Sequence, residues 1–102
     1  MDRLATLRDM ERAQPADPFL KYALAMEYVS QGNTAQSRLY FERLVSDHPD
    51  YVATYYQYAK LEEEAGNSAA AISLYNKGIE KAKAAGDAKT ARELQVAMEM
   101  MD

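Results

Sequence analysis

The dipeptide Gly-Asn occurs at Gly32-Asn33 and again at Gly66-Asn67, 34 residues further on. The same offset pairs Pro15 with Pro49, Tyr22 with Tyr56, Ala25 with Ala59 and Ala35 with Ala69. Similar residues fall in the same register: Leu24 with Tyr58, Phe41 with Tyr75, Arg43 with Lys77 and Val45 with Ile79. Turn, small and aromatic residues kept in one register mark a structural unit used twice. A fixed period of this length is the signature of stacked repeats.

The punctuation gives each unit its shape. Asp17-Pro18 supplies an N-cap followed by proline at the first helical position, where the missing N–H is no loss. A helix then runs to about Gln31, with Leu20, Leu24, Ala25 and Tyr28 recurring at three- and four-residue steps. Gly32 stops it. Asn33 caps the next helix, with Gln36 as its capping-box partner, and that helix carries Ala35, Leu39, Phe41, Leu44 and Val45 to about Asp47. His48-Pro49-Asp50 breaks the chain, because a residue before proline avoids the α region. The cycle recurs as a helix near 52–65, Gly66-Asn67, and a helix from about 68 to 84.

The segments Tyr22-Ala23-Leu24-Ala25-Met26-Glu27-Tyr28, Gly32-Asn33, Tyr40-Phe41 and Pro49 resemble one tetratricopeptide repeat. Tyr55-Tyr56-Gln57-Tyr58-Ala59, Gly66-Asn67, Ala71-Ile72 and Tyr75 resemble a second. Gly32 and Gly66 match the turn glycine, Leu24 and Tyr58 a large apolar position, and Ala25, Ala59 and Ala71 the small positions where helices touch. Tyr28, Phe41 and Tyr75 match aromatic positions, and Pro49 the closing proline. The departures are specific. Lys21 stands where the family prefers Trp, Ser37 replaces a small Ala, Glu62 replaces an aromatic residue, Gly78 replaces a helix Ala, and Lys83 replaces the final Pro. The last change predicts that the second helix of the second repeat runs past its usual end.

The resemblance implies an all-α fold: antiparallel helix pairs stacked as a short right-handed solenoid of about six helices. The two repeats, 18–51 and 52–85, cover about two-thirds of a single domain spanning 1–102. Residues 1–16 carry Leu4, Leu7 and Met10 among charges, and Pro15 matches Pro49, so this segment reads as the second helix of a half-repeat. Gly86-Asp87 restarts a helix over 86–102 whose apolar stripe is Ala91, Leu94, Met98 and Met101. Its opposite face is Lys89, Arg92, Glu93, Gln95 and Glu99, the pattern of a capping helix.

Composition narrows the function. The chain has 102 residues and no Cys, which excludes a disulfide framework and a thiolate zinc site. Its net charge of −4 suits neither a nucleic-acid backbone nor an anionic membrane surface. Charges interrupt the N-terminal residues Met1 to Asp9, leaving no signal-peptide core, and no apolar run approaches the roughly 20 residues that span a bilayer. A single His, His48, reads as a turn residue. The run Glu62-Glu63-Glu64 reads as a solvated face rather than a metal site, with Glu62 left to reach solvent, pair with a cation or meet a partner. The expectation is a cytoplasmic protein that is not an enzyme and takes no cofactor, metal or nucleic acid.

Binding in the resembled family occurs in a concave groove lined by the first helix of each repeat. Carried over by position, the first repeat presents Phe19, Tyr22, Met26 and Val29, and the second Ala53, Tyr56, Lys60 and Glu63. Apolar anchors of this kind suit a protein or peptide partner; the alternative is that neighbouring helices cover some of these side chains. The carboxylate clamp by which some relatives hold chaperone tails needs paired cations and amides, and Tyr22, Met26, Gln57 and Lys60 do not supply it. A second functional reading is self-association into a homo-oligomer through the open ends of the solenoid. Met98, Met100 and Met101 cannot all lie on one helix face.

Overall fold

The computed structural model describes residues 2–101. Among them are six α-helices and no strand: α1 (Arg3–Ala13), α2 (Pro18–Ser30), α3 (Thr34–Asp47), α4 (Ala53–Glu64), α5 (Ser68–Ala84) and α6 (Ala88–Glu99). The outer ends of the two expected flanking segments, Met1 and Asp102, lie outside the described residues. The helices group into two compact units, Met1–Tyr51 with α1 to α3 and Val52–Asp102 with α4 to α6.

One turn is built three times. Gly32, Gly66 and Gly86 adopt φ of +72°, +83° and +75°, a left-handed conformation that carries no Cβ penalty in glycine. The N–H of the next residue reaches back to the helix just ended: Asn33 to the Tyr28 carbonyl at 2.9 Å, Asn67 to Glu62 at 2.8 Å and Asp87 to Ala82 at 2.8 Å. This pattern satisfies carbonyls that a helix end otherwise leaves open. The first two turns are those of the 34-residue register. The third follows only 20 residues after Gly66, so α5 closes one hairpin and opens the next. Ser37, Ala71 and Ala91 hold the same place after each glycine, and all three are buried.

Unit one buries Leu20, Leu24, Ala25 and Tyr28 of α2 against Phe41 and Leu44 of α3. The α1 helix contributes no buried residue. Polar links join it to α2 instead: Arg3 to Glu27 at 3.3 Å, Arg8 to the Tyr28 hydroxyl, and Glu11 to Lys21 at 3.4 Å. Lys21 is itself buried, and its Nζ also donates to the Pro15 carbonyl. A lysine thus fills the place that its register partner Tyr55 fills in unit two, with its ammonium carried to a carboxylate and a carbonyl at the edge of the core.

Unit two buries Tyr55 and Ala59 of α4, Ala71, Tyr75, Ile79 and Ala82 of α5, and Ala91 and Leu94 of α6. Gly78 is buried among them, and a Cβ placed there would lie 2.7 Å from Tyr55 Cβ and 3.0 Å from Leu94 Cδ1. The unexpected glycine therefore sits where α5 runs too close to side chains of α4 and α6 to admit a Cβ. The α5 helix has 17 residues against 14 in α3, as the missing proline predicts.

The acidic run departs from expectation. Only Glu64 is exposed; Glu62 is buried and Glu63 half-buried. Glu62 accepts a hydrogen bond from the Asn67 side-chain amide at 3.4 Å. Asn67 makes no side-chain cap on α5, whereas its register partner Asn33 accepts from the Gln36 N–H at 3.2 Å. A carboxylate at a buried position needs donors, and the nearby amide supplies one.

Candidate functional site

The helix α2 carries Phe19, Tyr22, Met26 and Val29 at steps of three and four, which places them on one face. Phe19 is 57% exposed and Val29 37%, while Tyr22 and Met26 are half-buried. Tyr22 is seated by Tyr51, the rings lying 5.9 Å apart and tilted by 58°. Burial, with the Asp17 charge added, pushes the Tyr51 phenol above its ordinary value. Asp17 also starts α2 by accepting from the Phe19 N–H at 3.0 Å. The cap therefore helps to fix where the exposed Phe19 ring begins.

In unit one, Tyr28 and Tyr40 stack with centroids 5.8 Å apart. Arg8 lies 5.8 Å over Tyr28 and Arg43 5.1 Å over Tyr40. The hydrogen bond to the Tyr28 hydroxyl raises Arg8 further above its already high value. These contacts tie α1, α2 and α3 together through cation–π and stacking geometry. His48 sits in the break after α3, in a shallow hollow with Pro18, Asp47, Pro49, Asp50 and Tyr51.

On α4, Ala53 and Tyr56 are exposed, and Lys60 and Glu63 are half-buried. Tyr56 meets Tyr75 edge-on, with centroids 6.3 Å apart and planes at 79°. The Tyr75 hydroxyl donates to Glu63 at 3.1 Å. Burial first, and this bond second, hold the Tyr75 phenol well above its ordinary range. Glu63 is thus engaged inside unit two, and it anchors the ring against which Tyr56 rests.

The sequence reading missed the side of Tyr56 that faces α6. Tyr56, Arg92, Glu93, Val96, Ala97 and Met100 line an open cleft of about 410 Å³. Val96 is 47% exposed and Met100 77%. The expected stripe is present, with Ala91 and Leu94 buried and Met98 and Met101 half-buried. The opposite face is not uniformly polar, however. Arg92, Val96 and Met100 form a second row at four-residue steps, a signal the sequence does contain. Arg92 and Glu93 set opposite charges beside this exposed apolar surface.

No helix among the described residues is long and apolar enough to cross a membrane. No protein-family model and no curated protein matches the chain. Solved structures do. The solution structure of a tetratricopeptide repeat domain protein from Salinibacter ruber is 42% identical, with a TM-score of 0.83, over 87% of this chain and 90% of that one. A crystal structure of the tetratricopeptide repeat domain protein from the same organism is 44% identical, with a TM-score of 0.76, over 80% of this chain and 91% of that one. A Bordetella parapertussis protein solved in solution is 19% identical, with a TM-score of 0.84, over 99% of this chain and 88% of that one, a likeness of fold alone.

Proposed function

Because the chain belongs to the tetratricopeptide-repeat family, we propose that it is a non-catalytic protein-interaction module that binds a peptide or protein segment through the first helix of each repeat. The residues assigned to binding are Phe19, Tyr22, Met26 and Val29 on α2, and Tyr56, Lys60 and Glu63 on α4. The observation that carries this reading is the apolar cleft where Tyr56 meets Val96 and Met100 of α6. Such a surface gains from receiving one bulky apolar side chain, since aromatic residues and methionine dominate the centres of protein interfaces. Arg92 and Glu93 at its edge would orient polar groups on either side of that anchor. Lys60 and Glu63 act at the margin, with Glu63 chiefly holding Tyr75 and thereby Tyr56.

Selecting peptides from a random display library on the whole folded chain tests this reading. Bound peptides should share a bulky apolar residue, and Tyr56→Ala and Met100→Ala should each weaken them by about tenfold or more. Tyr22→Ala tests the α2 face in the same assay. A library that yields no peptide weakened by any of the three substitutions in folded protein would refute it.

The exposure of Met100 favours self-association as the second reading. Light scattering separates the two: a mass that rises with concentration and returns to the monomer value in Met100→Ala supports a homo-oligomer, and a constant monomer mass rejects it.

A further inference from the structure

The stretch of the α5–α6 hairpin from Lys77 to Arg92 carries a charge opposite to that of the chain, with Glu93 and Glu99 following on α6. Residues 77–92 contain Lys77, Lys81, Lys83, Lys89 and Arg92 against Glu80 and Asp87, within a chain of net charge −4. Asp87 is committed to α6, where its carboxylate accepts from the Thr90 N–H at 3.0 Å and is held below its usual range by bonds to Thr90. A cleft of about 280 Å³ opens on this hairpin, lined by Ile79, Lys83, Ala88, Ala91, Arg92 and Gln95. Its floor is aliphatic, two exposed cations stand at its rim, and no carboxylate is among the lining residues. Glu93 belongs to the other cleft, beside Tyr56, and Arg92 stands between the two and lines both.

We propose that this cleft is a second docking site, taking an acidic segment of a partner protein that inserts one aliphatic side chain. The guanidinium of Arg92 offers a planar fork that matches a carboxylate, and Lys83 offers a mobile point charge on a flexible stem. An acidic segment satisfies both cations while its aliphatic residue covers Ile79, Ala88 and Ala91. A purely apolar segment would strip water from both cations without replacing it. The overall negative charge of the chain repels an acidic ligand elsewhere, so the local positive field selects this face. Lys83 also lies in the last turn of α5, where a cation complements the helix dipole. That role does not extend to Arg92, which stands near the positive, N-terminal end of α6.

The test is fluorescence anisotropy on the full chain with a labelled, end-blocked peptide of two aspartates, a leucine and two glutamates. Binding should weaken as salt rises. Lys83→Glu should lower affinity about tenfold and the milder Lys83→Met about threefold, with helix content and melting checked for both. Exchanging the peptide's leucine for glycine should weaken binding, and Tyr56→Ala should leave it unchanged. The proposal is overturned if either Lys83 variant, folded, binds as the unaltered chain does, or if the glycine peptide binds equally well. Loss of binding in Tyr56→Ala, or tighter binding of a single-stranded RNA oligonucleotide than of the peptide, overturns it equally.

Discussion

Gly78→Ala isolates the contest between helix propensity and packing. On propensity alone the substitution is favourable by about 1 kcal/mol, because alanine is the best helix former and glycine among the worst. Packing opposes it. The new Cβ would stand 2.7 Å from Tyr55 Cβ and 3.0 Å from Leu94 Cδ1. Leu94 has a terminal methyl group that can rotate aside. Tyr55 Cβ is fixed to its backbone, and Tyr55 is fully buried, so α5 must move away from α4 to admit the methyl group. Forcing a methyl group into a filled core costs about 1–3 kcal/mol. The balance is a net loss of about 1 kcal/mol, which lowers the melting temperature of a domain of this size by about 4–8 °C. The reference is Asn76→Ala, at an exposed position of the same helix, where propensity acts alone and stability should rise by a few tenths of a kcal/mol. Thermal melts followed by circular dichroism at neutral pH decide the matter. A melting temperature for Gly78→Ala at or above that of the unaltered chain would refute the close approach of α5 to α4 and α6.

Two further outcomes follow from buried polar groups. Tyr75→Phe removes the bond to Glu63 and should cost about 1 kcal/mol near neutral pH. Because the folded phenol titrates above its unfolded value of 10.0, its contribution is intact below that value and declines progressively as pH rises from it toward the higher folded value. The unaltered chain should therefore lose more stability than Tyr75→Phe between about pH 9 and 11 in urea denaturation. At the other polar site, Glu11→Ala leaves the buried Lys21 ammonium with only the Pro15 carbonyl and should cost about 1–3 kcal/mol. The double change Glu11→Leu/Lys21→Met removes the uncompensated charge and should recover most of that loss, measured by the same denaturation.

The helices and their hairpin turns were legible because their signals are local. Glycine in the left-handed turn, Asn33 and Asp17 as caps, and proline at the start of α2 act within a few residues, so one sequence suffices to read them. Residues whose fate is set by distant neighbours were not legible. Lys21 and Glu62 stand out in the sequence only as departures from the repeat pattern, and the partners that accompany their burial, Glu11 and Pro15 for one and Asn67 for the other, are not marked by it. Gly78 stands in the sequence only as a replacement for a helix alanine, because its justification lies in Tyr55 and Leu94. At the candidate site, Tyr56 and the α2 face came from the repeat register. Val96 is hidden by Arg92, Glu93, Gln95 and Glu99, which dominate a polar reading of α6, and Met100 is marked only as one of three methionines that cannot share a face.

The thrice-built turn also governs how the chain reaches its fold. Every hairpin joins helices adjacent in sequence through a few residues, so α2 with α3, α4 with α5, and α5 with α6 can each pair with little loop-closure entropy. Pairing of this kind has low contact order and proceeds fast. On a ribosome, the α2–α3 hairpin is complete in sequence once residue 47 has emerged, before any of α4 has left the exit tunnel. The facing sides of α2 and α3 can therefore pair before later residues arrive, which shortens the interval in which that apolar surface is open to aggregation.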